Sequence, residues 1–487
     1  MKEQPTSEIQ KSLERFSEAL SPAEIRKIIE IQTKPLPIGM RVNVLKADPQ
    51  TAIQDWAARY GWDIQPIPFC ENGWTIQPSS TSPGTTIEHR MGQYYLQDAA
   101  SMVPVSLYDM DIDRPLILDM AASPGGKTTH LIDRTRDKGF ILANDASKSR
   151  IPALRSVLSG WGGINFAITN YPGESFGDWY PETFDRVLLD APCSMENLRP
   201  TPNHPMRETT PDERMRLQER QIQLLASGLR SLKIGGQLVY ATCSLAPEED
   251  EVVIDALLNR YPGVFSIKDV SDKVPFKTPG LTQFEGRDFH PDLKNALRLW
   301  PHLTGMSGFF CVLLTKKDSV PGDFSSPPNR DFSKTDLEEL TQSDNNLIFN
   351  LIKRNYGLDL DEVIQTYHLE LYQRHEQVFL IPQHYLGHFS TLPYSYIGLP
   401  IGRWVNDTLE PAHEFISRFG RQFTRGLIRI EDDRVEQWIA GRDIRHPDTD
   451  LEPRGQYLLV TDHAGRNLGL GKLLPKRLRN MLPRSSI

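Results

Sequence analysis

The stretch that decides the fold is LILDMAASPGGKT, residues 116–128, in which a short apolar strand runs directly into a turn of small residues. Similar apolar runs recur further along the chain, at residues 140–143, 164–168, 186–189 and 237–241, with helix-like stretches between them. Short apolar runs bounded by turn residues are typical of buried parallel strands. The alternation predicts an α/β, doubly wound parallel sheet with ligands at the carboxyl ends of its strands.

The turn at residues 119–128 predicts a nucleotide-like cofactor without phosphates. It lacks the Gly-x-Gly-x-x-Gly spacing of a dinucleotide site, and Ala121 stands where a P-loop has its first glycine. Small residues at a helix N-terminus still let a ligand approach the backbone and meet free N–H groups, which suits S-adenosylmethionine. The candidate cofactor-binding residues here are Ala121, Ala122, Ser123, Pro124, Gly125, Gly126 and Lys127.

Asp145 follows the second predicted strand and is a further candidate for the cofactor site. Its carboxylate could accept hydrogen bonds from both ribose hydroxyls of the cofactor. It could equally cap the helix that begins nearby, because aspartate is a common N-cap residue. The sequence leaves these two interpretations open.

Two cysteines end neighbouring predicted strands, Cys193 in DAPCS and Cys243 in TCS. A thiolate that adds to C6 of a pyrimidine makes C5 nucleophilic enough to take a methyl group, and the C5 proton must then leave. The reaction needs a nucleophile, a carboxyl group that hydrogen-bonds N3 and N4, and a base. Cys243, Asp190 and Cys193 supply these groups, although the residues alone do not assign the two thiol roles. An aspartate that donates to N3 must be protonated for part of the cycle.

Bulk properties narrow the class of protein. The chain has 487 residues, enough for three or four domains, and a net charge of −8, which argues only mildly against a nucleic-acid partner. No apolar run approaches the roughly 18 residues of a membrane span, and no signal peptide is evident, so we expect no membrane partner and a cytoplasmic location. The four cysteines are too scattered for a zinc site, so we expect no metal.

The three motifs together resemble the RNA cytosine-C5 methyltransferase superfamily of RsmB, NOP and NSUN-like proteins, and most of all its RsmF-type 16S ribosomal RNA methyltransferases. Residues 119–128 look like the family's cofactor motif, DAPCS its Pro-Cys motif and TCS its Thr-Cys motif. The resemblance implies that Cys243 is the nucleophile and that Cys193 helps to release the product. It also implies S-adenosylmethionine as cofactor and contact of the cofactor with Asp190.

The resemblance extends to both ends of the chain and suggests its domain organisation. LPIG at residues 399–402 and NLGLGK at 467–472 look like the PUA-like RNA-binding part of RsmF-type proteins. The basic, acid-free segment 466–484 could bind phosphate or be a solvated surface tail. We expect an N-terminal α+β RNA-positioning module (1–91), a Rossmann-like catalytic domain (92–317), a linker (318–335), a helical or mixed module (336–394) with helices near 337–341 and 346–355, and a PUA-like β-rich domain (395–487).

Two places depart from the family's pattern. The family usually has an aspartate near the end of the third strand for adenine contact, whereas this chain has Pro172 there, so Asn170 or a backbone group must substitute. After the Pro-Cys motif the family favours glycines, whereas this chain has Met195. Glycine permits backbone angles that methionine resists, so we expect a reshaped substrate-facing loop.

The sequence thus predicts an enzyme that methylates cytosine C5 in ribosomal RNA through a covalent adduct between Cys243 and C6, with RNA or a small ribosomal subunit as partner. Two alternatives stay open: a transfer RNA cytosine-C5 methyltransferase, and a catalytically weakened RNA-binding or ribosome-assembly protein.

Overall fold

The N-terminal module is a four-stranded antiparallel sheet in the order β2-β3-β1-β4. The computed structural model describes residues 13–31, 34–78, 81–199, 209–406, 408–445 and 456–483. The strands of this sheet are β1 (Ile38–Val42), β2 (Asp63–Pro66), β3 (Gly73–Gln77) and β4 (Tyr94–Leu96). Its helices are Pro22–Ile31, Pro49–Tyr60 and the short Ile87–Arg90. Ile9, Leu13, Phe16 and Leu20 recur at helical spacing and predict a helix from residue 7, of which the part before residue 13 lies outside the described residues.

A nine-stranded mixed sheet forms the catalytic domain, and its path runs β10-β14-β9-β8-β5-β6-β7-β18, with β13 paired to β14. The central strands β5 to β9 are parallel to one another. The strands from this part of the chain are β5 (Leu116–Asp119), β6 (Phe140–Asn144), β7 (Phe166–Thr169), β8 (Phe184–Asp190), β9 (Leu232–Thr242), β10 (Phe265–Ile267), β11 (Gln283–Phe284), β12 (Arg287–Asp288), β13 (Leu297–Leu299) and β14 (Phe309–Lys316).

Helices lie against both faces of this sheet, and two apolar cores separate them from it. The predicted α/β, doubly wound, Rossmann-like fold is therefore confirmed, and so is the edge at which β5, β6, β8 and β9 all end. The helices of the domain are Val103–Ser106, Gly126–Arg134, Ile151–Trp161, Phe176–Trp179, Pro211–Ser231, Glu251–Arg260 and Pro301–Thr304.

The segment after the linker forms a second sheet in the order β15-β16-β17-β19-β20. Its strands are β15 (Glu338–Glu339), β16 (Leu369–Arg374), β17 (Gln377–Pro382), β19 (Leu399–Val405) and β20 (Thr408–Pro411), and its helices are Gln342–Tyr356, Leu360–Tyr367 and Gln383–His388. The helix predicted at 337–341 is wrong, because residues 338–339 pair with β16. The boundary that we expected after residue 394 cuts this sheet, since β17 pairs with β19.

Strand β18 (Tyr396–Ile397) leaves that sheet and pairs antiparallel with β7, so a segment from the C-terminal third forms one edge of the catalytic sheet. A last five-stranded sheet, in the order β21-β23-β24-β25-β22, follows it. It contains β21 (Leu427–Arg429), β22 (Ile444–Arg445), β23 (Tyr457–Thr461), β24 (Asn467–Leu474) and β25 (Arg477–Asn480), with helices His413–Phe419 and Asp432–Ile439.

The buried Lys46 ammonium joins three parts of the chain. It donates hydrogen bonds to the carbonyl oxygens of Met91 and Gly160 and to the hydroxyl of Ser417. Burial, together with the charge of Arg418, lowers the pKa of Lys46 to about 7. Arg418 in turn pairs with the buried Asp137 carboxylate at 3.4 Å. Polar contacts therefore connect the N-terminal module, the catalytic domain and the C-terminal region.

Aromatic packing adds a second connection between the C-terminal region and the catalytic sheet. The Phe389 ring, only 1% exposed, stacks on Phe184 and Phe140 at centroid distances of 5.6 Å and meets the Tyr180 ring edge-on at 5.1 Å. None of the helices in the described ranges has the length and apolar character to cross a bilayer.

We expect Phe389→Ala to lower the thermal midpoint by several degrees, because deleting a buried phenyl ring from a packed core typically costs about 3–5 kcal/mol. The matched control is Phe324→Ala, since the Phe324 side chain is 63% exposed. Differential scanning calorimetry of both variants measures the effect. An equal midpoint shift in the two would contradict the packing role of Phe389.

Candidate active site

The two site cysteines lie in contact at the ends of adjacent parallel strands. Pairing of β8 with β9 sets Asp190 opposite Ala241, so the chain carries Cys193 and Cys243 to the same place just beyond. Their sulfur atoms are 3.1 Å apart, and both thiols are free and partly accessible. Both residues line a cavity of about 520 Å³. The structure therefore brings together the two thiols that the motifs singled out.

Cys193 is the thiol that holds its proton more tightly than usual. Its hydrogen bond with Cys243, then its burial, then the charges of Cys243 and Glu249 raise the pKa of Cys193 well above its ordinary value. A backbone hydrogen bond at Met195 opposes this only in part. A neutral Cys193 can donate to the Cys243 sulfur, so the arrangement suits a pair that shares one proton.

Glu249 lies behind the thiols and is completely buried. Its carboxylate accepts hydrogen bonds from the backbone N–H of Ser194 at 2.9 Å and from its hydroxyl. It also accepts from the hydroxyl of Ser244 at 3.0 Å and from the side-chain amide of Gln221 at 3.1 Å. Ser194 and Ser244 each follow one of the site cysteines directly, so a single carboxylate contacts both turns.

The small-residue turn after β5 is shaped by two glycines. Gly125 has φ +114°, a backbone angle that L side chains rarely adopt, and it precedes the helix Gly126–Arg134. A Cβ atom on Gly126 would lie 2.9 Å from the ring of Tyr95, which belongs to the N-terminal module. Glycine at these two positions lets the turn pack closely against its neighbours. The small side chains of Ala121 and Ser123 in the same turn line open cavities.

Two cavities lie on either side of this turn, and both are lined by Ala121, Ser123 and Asp190. One is the 520 Å³ cavity that reaches the thiols, within the roughly 300–1,000 Å³ of small-molecule sites. The other is about 190 Å³ and includes Ala122, Pro124, Gly126 and Lys127 together with Tyr95, Gln97 and Asp119. Gly125 is not among the residues that line either cavity, and its part in the site is the backbone turn.

Asp119 and Asp145 provide the acceptors that a nucleoside cofactor with an amino acid group requires. Burial raises the pKa of Asp119 to about 7, and its Oδ1 atom has no hydrogen-bond partner within the described ranges. The carboxylate oxygens of Asp145 accept from the backbone N–H groups of Ser123 (3.2 Å) and Ser147 (2.9 Å), which leaves lone pairs free. Asp145 thus connects the loops that follow β5 and β6 by hydrogen bonds, and it also lines the larger cavity. The site fits S-adenosylmethionine.

Asn170, the candidate that the sequence placed after β7, is not among the residues that line these two cavities. Its side-chain amide instead donates to the backbone carbonyl of Asp145 at 2.6 Å. The physical reason is that the loop after β7 packs against the loop after β6, where that carbonyl needs a donor. Gly173, three residues later, lines the larger cavity in its place.

Lys127 pairs with Asp190 across the front of the site, with 2.6 Å between Nζ and Oδ2. Burial lowers the pKa of the ammonium, but the Asp190 carboxylate outweighs this, and the pKa of Lys127 is raised. The Lys127 ammonium thus holds the Asp190 carboxyl group at the strand end where the two thiols lie.

The loop after Cys193 carries the methionine that the sequence marked as unusual. Met195 has φ +63°, in the left-handed region that favours glycine, so it adopts a glycine-like backbone angle at a steric cost. The loop directly after Met195 is held by two backbone hydrogen bonds, from the N–H of Leu245 to the Glu196 carbonyl and from the N–H of Gly308 to the Asn197 carbonyl. The Met195 side chain is 40% exposed and lines the larger cavity.

Several residues of this site escaped the sequence analysis. Arg150 and Arg220 line the larger cavity, and Gln97 lines the smaller one from the N-terminal module. Glu249 was signalled only by a run of four acidic residues at 248–251, directly after the Thr-Cys strand. No group of three or more His, Cys, Asp or Glu within the described ranges could hold a metal ion.

We expect Cys243→Ala to lower the pKa of Cys193, because its largest cause, the hydrogen bond between the sulfurs, is removed while burial persists. At pH 8–9 the thiolate fraction of Cys193 rises, and its initial alkylation by iodoacetamide becomes faster than in the wild type. Peptide mass spectrometry across a pH series measures this rate. Buried Cys311 is the internal control, and an unchanged Cys193 midpoint would contradict the coupling.

Comparison with known proteins finds matches to three family profiles along the chain. Residues 107–315 match a family profile described as 16S rRNA methyltransferase RsmB/F, residues 10–99 the N-terminal domain of 16S rRNA methyltransferase RsmF, and residues 425–486 the methyltransferase RsmF PUA domain. The chain is 30% identical to ribosomal RNA small subunit methyltransferase F from Escherichia coli strain UTI89 over 470 residues, and to that of strain SE11 over 467. Each alignment covers 93% of this chain and 91% of the relative.

Solved structures share the catalytic part of the fold. A methyltransferase homologue from Pyrococcus horikoshii is 32% identical, with a TM-score of 0.56, over 64% of this chain and 99% of its own. NSun6 from the same organism, solved with SFG, is 20% identical with a TM-score of 0.53, over 64% of this chain and 98% of its own, which shows the fold alone.

Proposed function

Because the chain belongs to the RsmB/F family of 16S ribosomal RNA methyltransferases, we propose that it methylates C5 of a cytosine in 16S ribosomal RNA, with S-adenosylmethionine as methyl donor. The observation that carries the proposal is the contact between the Cys193 and Cys243 sulfurs beside the cofactor turn. A thiol nucleophile beside a second group that can take a proton fits a reaction in which a carbon atom of the base is the acceptor, because an adduct must then form and be released.

The cofactor residues of the proposal are those of the turn, Ala121 to Lys127, with Asp145 and Asp190 as carboxylates that line the cavity. When bound there, S-adenosylmethionine supplies an electrophilic methyl group. Asp145 suits the ribose hydroxyls because its oxygens keep free lone pairs after accepting from the backbone. The turn itself offers backbone groups that bulky side chains do not cover.

Cys243 is the nucleophile in this proposal and Cys193 the proton carrier. The Cys243 sulfur adds to C6 of cytosine, which makes C5 electron rich. Once Cys243 is bonded to carbon, its sulfur no longer offers a thiolate acceptor or a negative charge, so the hydrogen bond and the charge that raise the pKa of Cys193 are weakened. The Cys193 thiol then loses its proton to solvent, and after C5 has gained the methyl group the Cys193 thiolate takes the C5 proton. As that proton leaves, the electron pair of the C5–H bond re-forms the C5–C6 double bond and expels the Cys243 sulfur.

Asp190 and Lys127 hold the base in this scheme. The carboxyl group of Asp190 lies at the same strand end as the thiols and suits N3 and N4 of cytosine, while Lys127 steadies it at 2.6 Å. A stacked base must leave its stack, or be unpaired from the start, before its C6 atom can reach a sulfur in a cavity.

The modules on either side of the catalytic domain support an RNA partner. The PUA match at residues 425–486 indicates RNA binding, and we propose ribosomal RNA or a small ribosomal subunit as the partner and the cytoplasm as the location. The domain limits that we propose follow the sheets: the N-terminal module ends after β4 at residue 96, the catalytic domain continues to about residue 317, and the last module begins after residue 420.

We expect Cys243→Ala to abolish methylation, because the variant lacks the sulfur that adds to C6. The assay follows transfer of labelled methyl from S-adenosylmethionine to 16S ribosomal RNA and to small subunits. Cys70→Ala, which removes a buried thiol of the N-terminal module, should keep most of the activity. Full turnover by the Cys243 variant would refute the mechanism, and methylation of transfer RNA alone would refute the substrate.

We expect Cys193→Ala to trap a covalent protein–RNA adduct, because the variant can add Cys243 to C6 but lacks the group that completes release. A denaturing gel of enzyme with cofactor and RNA should show the slow species. The double variant Cys193→Ala/Cys243→Ala is the control and should show none. If the single variant gives no adduct while wild type is active, Cys193 does not have the release role.

A further inference from the structure

A buried carboxylate brackets Cys193 on both sides along the chain. Glu249 accepts from the backbone N–H of Ser194, the residue after Cys193. It also holds the Gln221 amide, which donates at 2.8 Å to the carbonyl of Pro192, the residue before Cys193. Displacing Glu249 would therefore release the backbone at both neighbours of this cysteine.

The same carboxylate reaches the second cysteine through Ser244. The Ser244 hydroxyl donates to Glu249 at 3.0 Å, and the Ser194 and Ser244 hydroxyl oxygens are themselves 3.2 Å apart. The Ser244 hydroxyl also accepts from the backbone N–H of Ala246, which closes the turn after Cys243. The two cysteine turns, fifty residues apart in sequence, thus share one anchor.

The bonding of Glu249 indicates its charge state. Four donors surround its two oxygens: the Ser194 N–H, the hydroxyls of Ser194 and Ser244, and the Gln221 amide. Burial raises the pKa of Glu249, and this cage of donors opposes that rise. Only the ionised carboxylate accepts from all four, so a negative charge lies behind the thiols, where it disfavours a second thiolate.

We propose that Glu249 is a positioning residue of the methyl transfer, which fixes the contact between the two sulfurs and keeps the proton on Cys193 until Cys243 has bonded to the base. The catalytic role of Glu249 rests on the proposed function. Its role in fixing the contact between the two sulfurs does not. It adds to the reaction a group that touches neither substrate nor cofactor and acts through Ser194, Ser244 and Gln221 and through its own charge.

The test uses Glu249→Gln in the full-length protein. The amide keeps the size of the side chain but replaces one acceptor oxygen by a donor, so the Ser194 and Ser244 turns can no longer both be held. We expect kcat to fall about 10- to 100-fold, because a misplacement of reacting groups by about 1 Å can lower a rate by about 100-fold. KM for S-adenosylmethionine should change little. Alkylation of Cys193 by iodoacetamide should move to lower pH.

The control is Glu251→Gln, which neutralises an equally buried glutamate two residues away. Glu251 contacts the N–H of Leu281 and the Arg298 guanidinium, which in turn donates to the Leu245 carbonyl at 2.8 Å. Neither partner belongs to the anchor formed by Glu249 with Ser194, Ser244 and Gln221. We expect this variant to lose at least as much thermal stability while its Cys193 alkylation profile stays at the wild-type pH.

Three outcomes would overturn the proposal. The first is an unchanged kcat and alkylation profile in Glu249→Gln, and the second is the same alkylation shift in Glu251→Gln. If Glu249→Gln does not fold, Ser244→Ala removes one arm of the anchor and should show the same changes on a smaller scale, and their absence is the third. Alkylation needs neither cofactor nor RNA, so this arm decides the positioning role even if the proposed reaction fails.

Discussion

Parallel pairing of β8 with β9 is the constraint on which the catalytic arrangement depends. Its register sets Asp190 opposite Ala241, so that Asp190 and both cysteines leave the sheet at one edge, beside the turn that follows β5. A slip of one residue would send the side chains of one strand to the opposite face. The sulfur contact, the Lys127 pair and the shared Glu249 anchor all follow from this register.

The charges around the thiols divide into two groups with different effects. In front, Lys127 neutralises Asp190 at the entrance to the cofactor space. Behind, Glu249 is compensated by neutral donors only, so its field still reaches Cys193. The Asp190 carboxylate, held by a cation, therefore lies in front of the sulfur pair, and the Glu249 carboxylate, held by neutral donors, lies behind it. This asymmetry suits a reaction in which negative charge passes from sulfur to the base and back.

The sequence predicted the parts of the fold that local pattern controls. Apolar runs located β5 to β9, and motif spacing located Cys193, Cys243 and the turn. Contacts between distant residues were not accessible to that reasoning. Glu249 looked like one of four consecutive acids, and β15 was mistaken for a helix because two residues give no period. Asn170 was assigned to the cofactor, whereas its amide is used by a backbone carbonyl of the adjacent loop.

The pairing of β18 with β7 affects how the chain folds while it is being synthesised. Residues 396–397 leave the ribosome well after the rest of the catalytic sheet has been synthesised, so until then β7 presents a bare edge of unpaired backbone groups. Nascent chains with such an edge invite association with one another or capture by chaperones. The catalytic sheet is complete only when four-fifths of the chain has been translated, and truncation before that point should yield aggregates rather than a smaller enzyme.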